Sequence, residues 1–221
     1  MQPSFERARF NMIEQQVRPW QVLDDRVLAV MHAMPRELFV PDGYQELAYA
    51  DIDIPIGTDS AMLPPKLVGR MLQALAVREG ERVLEIGTGT GYATACLAGL
   101  GARVRSIEID PDLAAAARSR LVGMGLGWIA IIVGDALAGA VAGAPFDAIA
   151  VTGSLPTDTP LAMLREQLVP GGRLFAIVGE GALMEALIET RGAVGNVRRT
   201  RLFETSVPAL RNAPLPERFS F

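Results

Sequence analysis

At 221 residues, half of them apolar and about a fifth charged, the chain can bury a sizeable core and is neither disordered nor fibrous. Its net charge of −4 excludes the basic footprint of a nucleic-acid binder. One histidine (His32), one cysteine (Cys96) and one lysine (Lys66) exclude an internal disulfide and a usual zinc site, and leave nucleophilic catalysis few residues to use.

In chain order, Phe5, Phe10, Met12, Ile13 and Val17 form a helical stripe that should stop near Arg18-Pro19. Residues 1–10 carry Glu6, Arg7 and Arg9 where a signal peptide would be apolar, and no run approaches the ~20 residues that span a bilayer. The expectation is a cytoplasmic protein with no membrane partner. Asp24 or Asp25 caps a second helix through Val27, Leu28, Val30 and Met31, which ends before Pro35. An irregular stretch punctuated by Pro41, Gly43, Pro55, Gly57, Pro64 and Pro65 follows. A helix over 66–76 then buries Leu67, Met71, Leu72 and Leu75.

From residue 81 strands and helices alternate: strand 82–86, helix 92–100, strand 103–108, helix 111–124, strand 128–133, strand 146–151, helix 161–168 and strand 173–178. Two antiparallel strands, 182–189 and 197–205, close the chain. This pattern predicts an α/β fold with a Rossmann-like, doubly wound, mostly parallel seven-stranded sheet. Residues 1–80 form an N-terminal helical extension carrying a substrate segment, and residues 81–221 the core, the two being one structural unit. Trp20, Trp128 and the methionines are expected in the core, Cys96 as a small buried hydrophobe and His32 in solvent.

The most informative segment is Val83-Leu84-Glu85-Ile86-Gly87-Thr88-Gly89-Thr90-Gly91-Tyr92, where a strand passes into a helix. Open α/β sheets bind nucleotides at such a junction, and glycines there let backbone N–H groups approach a ligand. The spacing is G-x-G-x-G and not the G-x-G-x-x-G of a pyrophosphate cradle, which suits a ligand without phosphates such as S-adenosylmethionine. Glu108 ends the next strand, beside Ile109, where a carboxylate can accept both ribose hydroxyls. Asp135, with Ala136, ends the third and can face an adenine amino group. The predicted cofactor set is therefore Glu85, Gly87, Thr88, Gly89, Gly91, Glu108, Ile109, Asp135, Ala136 and Thr152.

With these residues the sequence resembles the class I S-adenosylmethionine-dependent methyltransferases. Over roughly residues 10–179 it is similar to the protein-L-isoaspartate O-methyltransferase family. The matching stretches are Met12-Ile13-Glu14-Gln15-Gln16, Pro35-Arg36-Glu37-Leu38-Phe39-Val40, Tyr49-Ala50-Asp51, Ile54-Pro55-Ile56-Gly57 and Leu168-Val169-Pro170-Gly171-Gly172-Arg173-Leu174. The resemblance implies methylation of a carboxylate of an altered aspartyl residue in proteins, with no metal. It also marks a departure. Where the family's substrate segment carries an active-site serine and a histidine, this chain has Leu63 and Lys66, and after the fourth strand it reads Thr152-Gly153-Ser154. Acceptor-side candidates are Asp59, Met62, Leu63, Pro64, Lys66 and Ser154, with the Lys66 ammonium either holding an anion near the cofactor or lying at the surface.

A carboxylate acceptor is ionised at neutral pH and needs no general base, which agrees with a chain that has one histidine. Three readings stay open: isoaspartyl methylation, methylation of another small-molecule or modified-peptide acceptor, and cofactor binding without turnover.

Overall fold

The computed structural model describes residues 5–181, 184–193 and 196–217. The N-terminal helix α1 (Phe5–Met12) does not run on uniformly. It widens into a π-helical turn over Ile13–Val17 and tightens into a 3-10 turn at Arg18–Trp20, where Pro19 removes a donor. Met12, Ile13 and Val17 are buried, but Phe5 and Phe10, expected on the same stripe, are 39% and 54% exposed. Phe10 stands about 200° round the regular helix from Met12, on its opposite face, and Phe5 lies at the helix start. Helix α2 (Asp25–Ala33) starts where expected: Asp24 accepts a hydrogen bond from the Arg26 N–H at 2.9 Å.

The stretch read as irregular contains a hairpin, β1 (Ile54–Gly57) with β2 (Ser60–Met62), joined by a two-residue turn at Thr58-Asp59. Asp59 takes φ 55°, a left-handed conformation that aspartate tolerates. Helix α3 (Pro65–Leu75) follows and buries all four predicted apolar residues. Gly69 on α3 admits the N-terminal segment closely: a Cβ there would lie 3.0 Å from Val17 and 3.2 Å from Met31 and from Val22.

The remaining elements are β3 (Arg82–Ile86), α4 (Tyr92–Gly99), β4 (Arg103–Glu108), α5 (Pro111–Gly123), β5 (Ala130–Val133), β6 (Phe146–Leu155), α6 (Thr159–Glu166), β7 (Leu168–Val178), β8 (Met184–Arg191) and β9 (Val197–Thr205). They build one seven-stranded sheet in the order β5-β4-β3-β6-β7-β8-β9. Neighbours from β5 to β7 pair in parallel and the last two strands antiparallel, as the alternation predicted. The predicted strand over 128–133 begins only at Ala130, and Trp128 is 60% exposed, so it is not a core residue. The fourth parallel strand runs on to Leu155, which puts Thr152 and Ser154 inside β6 and not after it. Of the predicted strand over 182–189, residues 182 and 183 lie outside the described residues. No helix among the described residues is long and apolar enough to cross a membrane.

The seam between the N-terminal part and the sheet is pinned by Arg173. Its guanidinium pairs with both Glu81 carboxylate oxygens, at 2.6 and 3.0 Å, and donates to Leu75 O at 2.8 Å and to Asp147 O at 3.2 Å. Burial alone would raise the Glu81 pKa, but Arg173 and the Arg78 N–H outweigh it and hold the carboxyl below its ordinary value. That stabilisation is present above about pH 4.5 and is lost as the pH falls through the lower folded-state value. Arg173→Met is expected to destabilise the protein by about 2–4 kcal/mol in urea unfolding at pH 7. The penalty should shrink in acid, where Glu81 is protonated; an unchanged midpoint at pH 7 would exclude the role.

Candidate functional site

The site lies at the carboxyl ends of β3, β4 and β6, on the crevice side of the sheet. As β3 ends, Gly87 turns at φ 92° and donates its N–H to Ile107 O at 2.8 Å. A Cβ at Gly87 would stand 2.5 Å from the Thr152 hydroxyl oxygen, so only glycine fits. That hydroxyl lies 2.9 Å from Ile86 O and 2.5 Å from Gly87 O, and locks the turn to β6. Gly89 and Gly91 also have positive φ, 53° and 89°, and Gly91 is the N-cap of α4.

Glu108 is 94% buried, being 6% exposed, at the end of β4. One carboxylate oxygen accepts the Gly89 N–H at 2.8 Å and the other the Asp110 N–H at 3.1 Å. The acid therefore holds the glycine loop in place while it faces the cleft. Asp110 caps α5 through the Asp112 and Leu113 N–H groups. The Leu113 hydrogen bond, with Arg211 at 3.0 Å, holds its carboxyl below the ordinary range. Asp135 is engaged at both oxygens, by the Leu137 N–H at 2.8 Å and the Asn212 amide at 3.0 Å.

These groups open onto a cleft of about 100 Å3. Gly87, Gly89, Glu108, Ile109, Asp135, Ala136 and Thr152 all line it. The opposite wall was not foreseen. The chain returns after β9, pairs Ser154 with Ala209, and lays Pro208, Ala209, Leu210 and Arg211 along the cleft. Nothing in residues 207–212 read alone announces that return.

Two predicted cofactor residues sit behind the wall. Gly91 turns the chain into α4, where a Cβ would meet Ala117 at 3.4 Å, and it does not face the cleft. Glu85 is fully buried beneath the loop. One of its oxygens accepts from Thr94 and Ser106, each at 2.5 Å, while the other has no partner. Burial pushes its carboxyl up to about 7. The Ser106 hydroxyl lies 2.6 Å from that of Thr88, so Thr88 is tied to this buried network as well as to the loop.

A second cavity of about 40 Å3 adjoins the cleft and shares Ile56, Ala61, Gly87, Gly89 and Thr152 with it. Met62 and Leu63 from the hairpin line it, opposite Thr88, Thr90 and Tyr92. Asp59 borders the larger cleft, at the turn of the hairpin. Pro64, Lys66 and Ser154 line neither cavity. Pro64 is buried at the N-cap of α3. Ser154 is fully buried within β6 and bonds to Val207 O at 3.2 Å, which makes it part of the anchor for the returning chain.

Lys66 lies at the surface, the second of its two readings, and lines neither cavity. Its ammonium lies 2.5 Å from Asp51 and 4.4 Å from the centroid of the Trp20 ring, on the flank of α3 away from the cleft. Trp20 meets Phe203 edge to face at 5.5 Å, which ties β9 to the same cluster. Ion pair and ring both lie far from Lys66 in sequence, so α3 alone could not reveal them. Lys66→Met is expected to leave ligand affinity within about twofold and to lower stability by about 1 kcal/mol. A tenfold loss of affinity would restore the lysine to the site. His32 is exposed, and Cys96 is buried with its thiol pushed up to about 12 by desolvation, so neither offers a nucleophile or base.

The family model described as protein-L-isoaspartate(D-aspartate) O-methyltransferase (PCMT) matches residues 7–206. A protein-L-isoaspartate O-methyltransferase from Methanoculleus marisnigri is 44% identical over 173 residues, 78% of each chain. Its counterpart from Koribacter versatilis is 42% identical over 199 residues, 90% of this chain and 87% of that protein. Among solved structures, a Plasmodium falciparum chain assigned as a protein-L-isoaspartate O-methyltransferase and solved with S-adenosyl-L-homocysteine covers 94% of this chain and 98% of its own. It superposes with a TM-score of 0.78 at 19% identity, a likeness of fold.

Proposed function

Because the chain belongs to the protein-L-isoaspartate(D-aspartate) O-methyltransferase family, we propose that it methylates the free carboxylate of isoaspartyl residues in proteins or peptides, using S-adenosylmethionine. The observation that carries this reading is the match over residues 7–206, which takes in both the cofactor cleft and the hairpin facing it. The cleft fits the cofactor by its donor set: a buried strand-end carboxylate, a glycine turn too tight for a Cβ, and apolar walls.

When bound, S-adenosylmethionine supplies a methyl group on a positively charged sulfur, whose departure needs no acid. Glu108 would accept the ribose hydroxyls, and Asp135 would face the adenine amino group. The hairpin residues Ile56, Met62 and Leu63 wall the acceptor side and exclude water there. An acceptor carboxylate is already ionised at neutral pH, so no residue has to take a proton. Catalysis then rests on holding the reacting groups at near-attack distance, which is worth up to about 7–11 kcal/mol in well-oriented cases.

Leu63 favours a second reading, methylation of a different carboxylate on the same scaffold. Its side chain forms an apolar wall in place of the family's hydroxyl, and it cannot hydrogen-bond an isoaspartyl group. Incubation with an isoaspartyl peptide and methyl-labelled cofactor separates the two. Base-labile methyl ester on the isoaspartyl peptide, and none on its aspartyl isomer, is the expected result. Label on neither peptide at high enzyme concentration would leave the second reading.

A further inference from the structure

Arg36 is fully buried, and among the described residues no carboxylate stands within ion-pair distance of it. Its Nε donates to Ala48 O at 2.8 Å and its Nη2 to Leu63 O at 2.7 Å. The guanidinium packs 4.8 Å from the centroid of the Tyr92 ring. Nη1 has no hydrogen-bond partner, and neither has the equally buried Tyr92 hydroxyl. A buried cation left unpaired costs several kcal/mol, and unmet buried donors add to that cost. Two carbonyls do not need a full positive charge to satisfy them.

Both side chains line the 40 Å3 cavity beside the glycine loop. A cavity needs only about 10–15 Å3 to hold a water, so this one has room for the head of a small polar group. Its two unmet groups are an arginine, which can only donate, and a phenol that burial keeps protonated. The two belong to one stack at the wall of the cavity, and the unpaired charge calls for an anion. The cavity shares its glycine wall with the cofactor cleft, so the anion can enter from there.

We infer that Arg36 and Tyr92 form the carboxylate-binding group of this site, holding through Nη1 and the phenol either the carboxylate of the methyl acceptor or that at the amino-acid end of the cofactor. The acceptor case rests on the proposed methyltransferase function. In that case Arg36 holds the acceptor by charge where Leu63 offers no hydroxyl, and its Nη2 fixes the Leu63 backbone. Methylation would then remove the charge that Arg36 holds, so the neutral ester leaves more easily than the acid binds.

Wild type, Tyr92→Phe and Arg36→Lys are titrated with S-adenosylhomocysteine and with its decarboxylated analogue, and KM and kcat are measured on an isoaspartyl peptide. If the group holds the cofactor's carboxylate, both variants lose about tenfold or more for S-adenosylhomocysteine and nothing for the analogue. If it holds the acceptor's, both ligands bind as to wild type while KM rises by about tenfold with kcat little changed. Should Arg36→Lys fail to fold, Tyr92→Phe, which removes a single oxygen, carries the test. Folded variants that match wild type in every arm overturn the inference. A wild type that turns over no isoaspartyl peptide overturns the function proposed above; the S-adenosylhomocysteine pair then decides alone, and equal affinities there sink the carboxylate site.

Discussion

Glu108→Ala is expected to weaken S-adenosylmethionine binding by about a hundredfold or more, measured as Kd by calorimetry. Two hydrogen bonds from ribose hydroxyls to a carboxylate are worth about 1.5–3 kcal/mol each, and every 1.4 kcal/mol is tenfold. The structure adds a second reason. The same carboxylate accepts the Gly89 and Asp110 N–H groups, so alanine also frees the loop whose backbone must face the ligand. A carboxylate can accept about four hydrogen bonds, enough for both backbone donors and both hydroxyls. Glu108→Gln separates the two contributions. It keeps one acceptor oxygen but turns an amide toward a donor, and should cost about tenfold. An alanine variant that melts like wild type and binds the cofactor equally well would remove the ribose from the end of β4.

Most of the fold was legible because its signals are local. Apolar runs of strand length alternate with helical stripes from residue 81 on, and Asp24 caps its helix through a neighbour two residues away. What was not legible depends on distant partners. Pro55 argued against a strand, yet β1 pairs only with β2 and tolerates it at an edge. Lys66 drew notice for being the only lysine, but Asp51 and Trp20 decide where it points. Arg36 drew none as a single residue, being one of twenty arginines, and only its burial distinguishes it. The cofactor wall built from Pro208 to Arg211 depends on backbone pairing with Ser154, about fifty-five residues away.

Stability is expected to fall as the pH rises from 4.5 towards 7, and Glu85 is the cause. Burial raises its carboxyl from an ordinary value of 4.5 to about 7, against the pull of Ser106 and Thr94. Between these values the folded state holds a proton that the unfolded chain has lost. The contribution is therefore complete below pH 4.5 and gone once the pH has passed the folded value. The difference corresponds to about 3 kcal/mol at 1.36 kcal/mol per unit. Glu85→Gln removes the titration and keeps an oxygen for the Thr94 and Ser106 hydroxyls. Urea unfolding of both proteins at pH 5, 6, 7 and 8 isolates the effect, because other groups titrate alike in each. The stability of wild type relative to the variant should decline by about 2–3 kcal/mol across that range. Parallel curves would mean that Glu85 is already ionised in the fold, and that a cation or solvent reaches the oxygen that stands here without a partner.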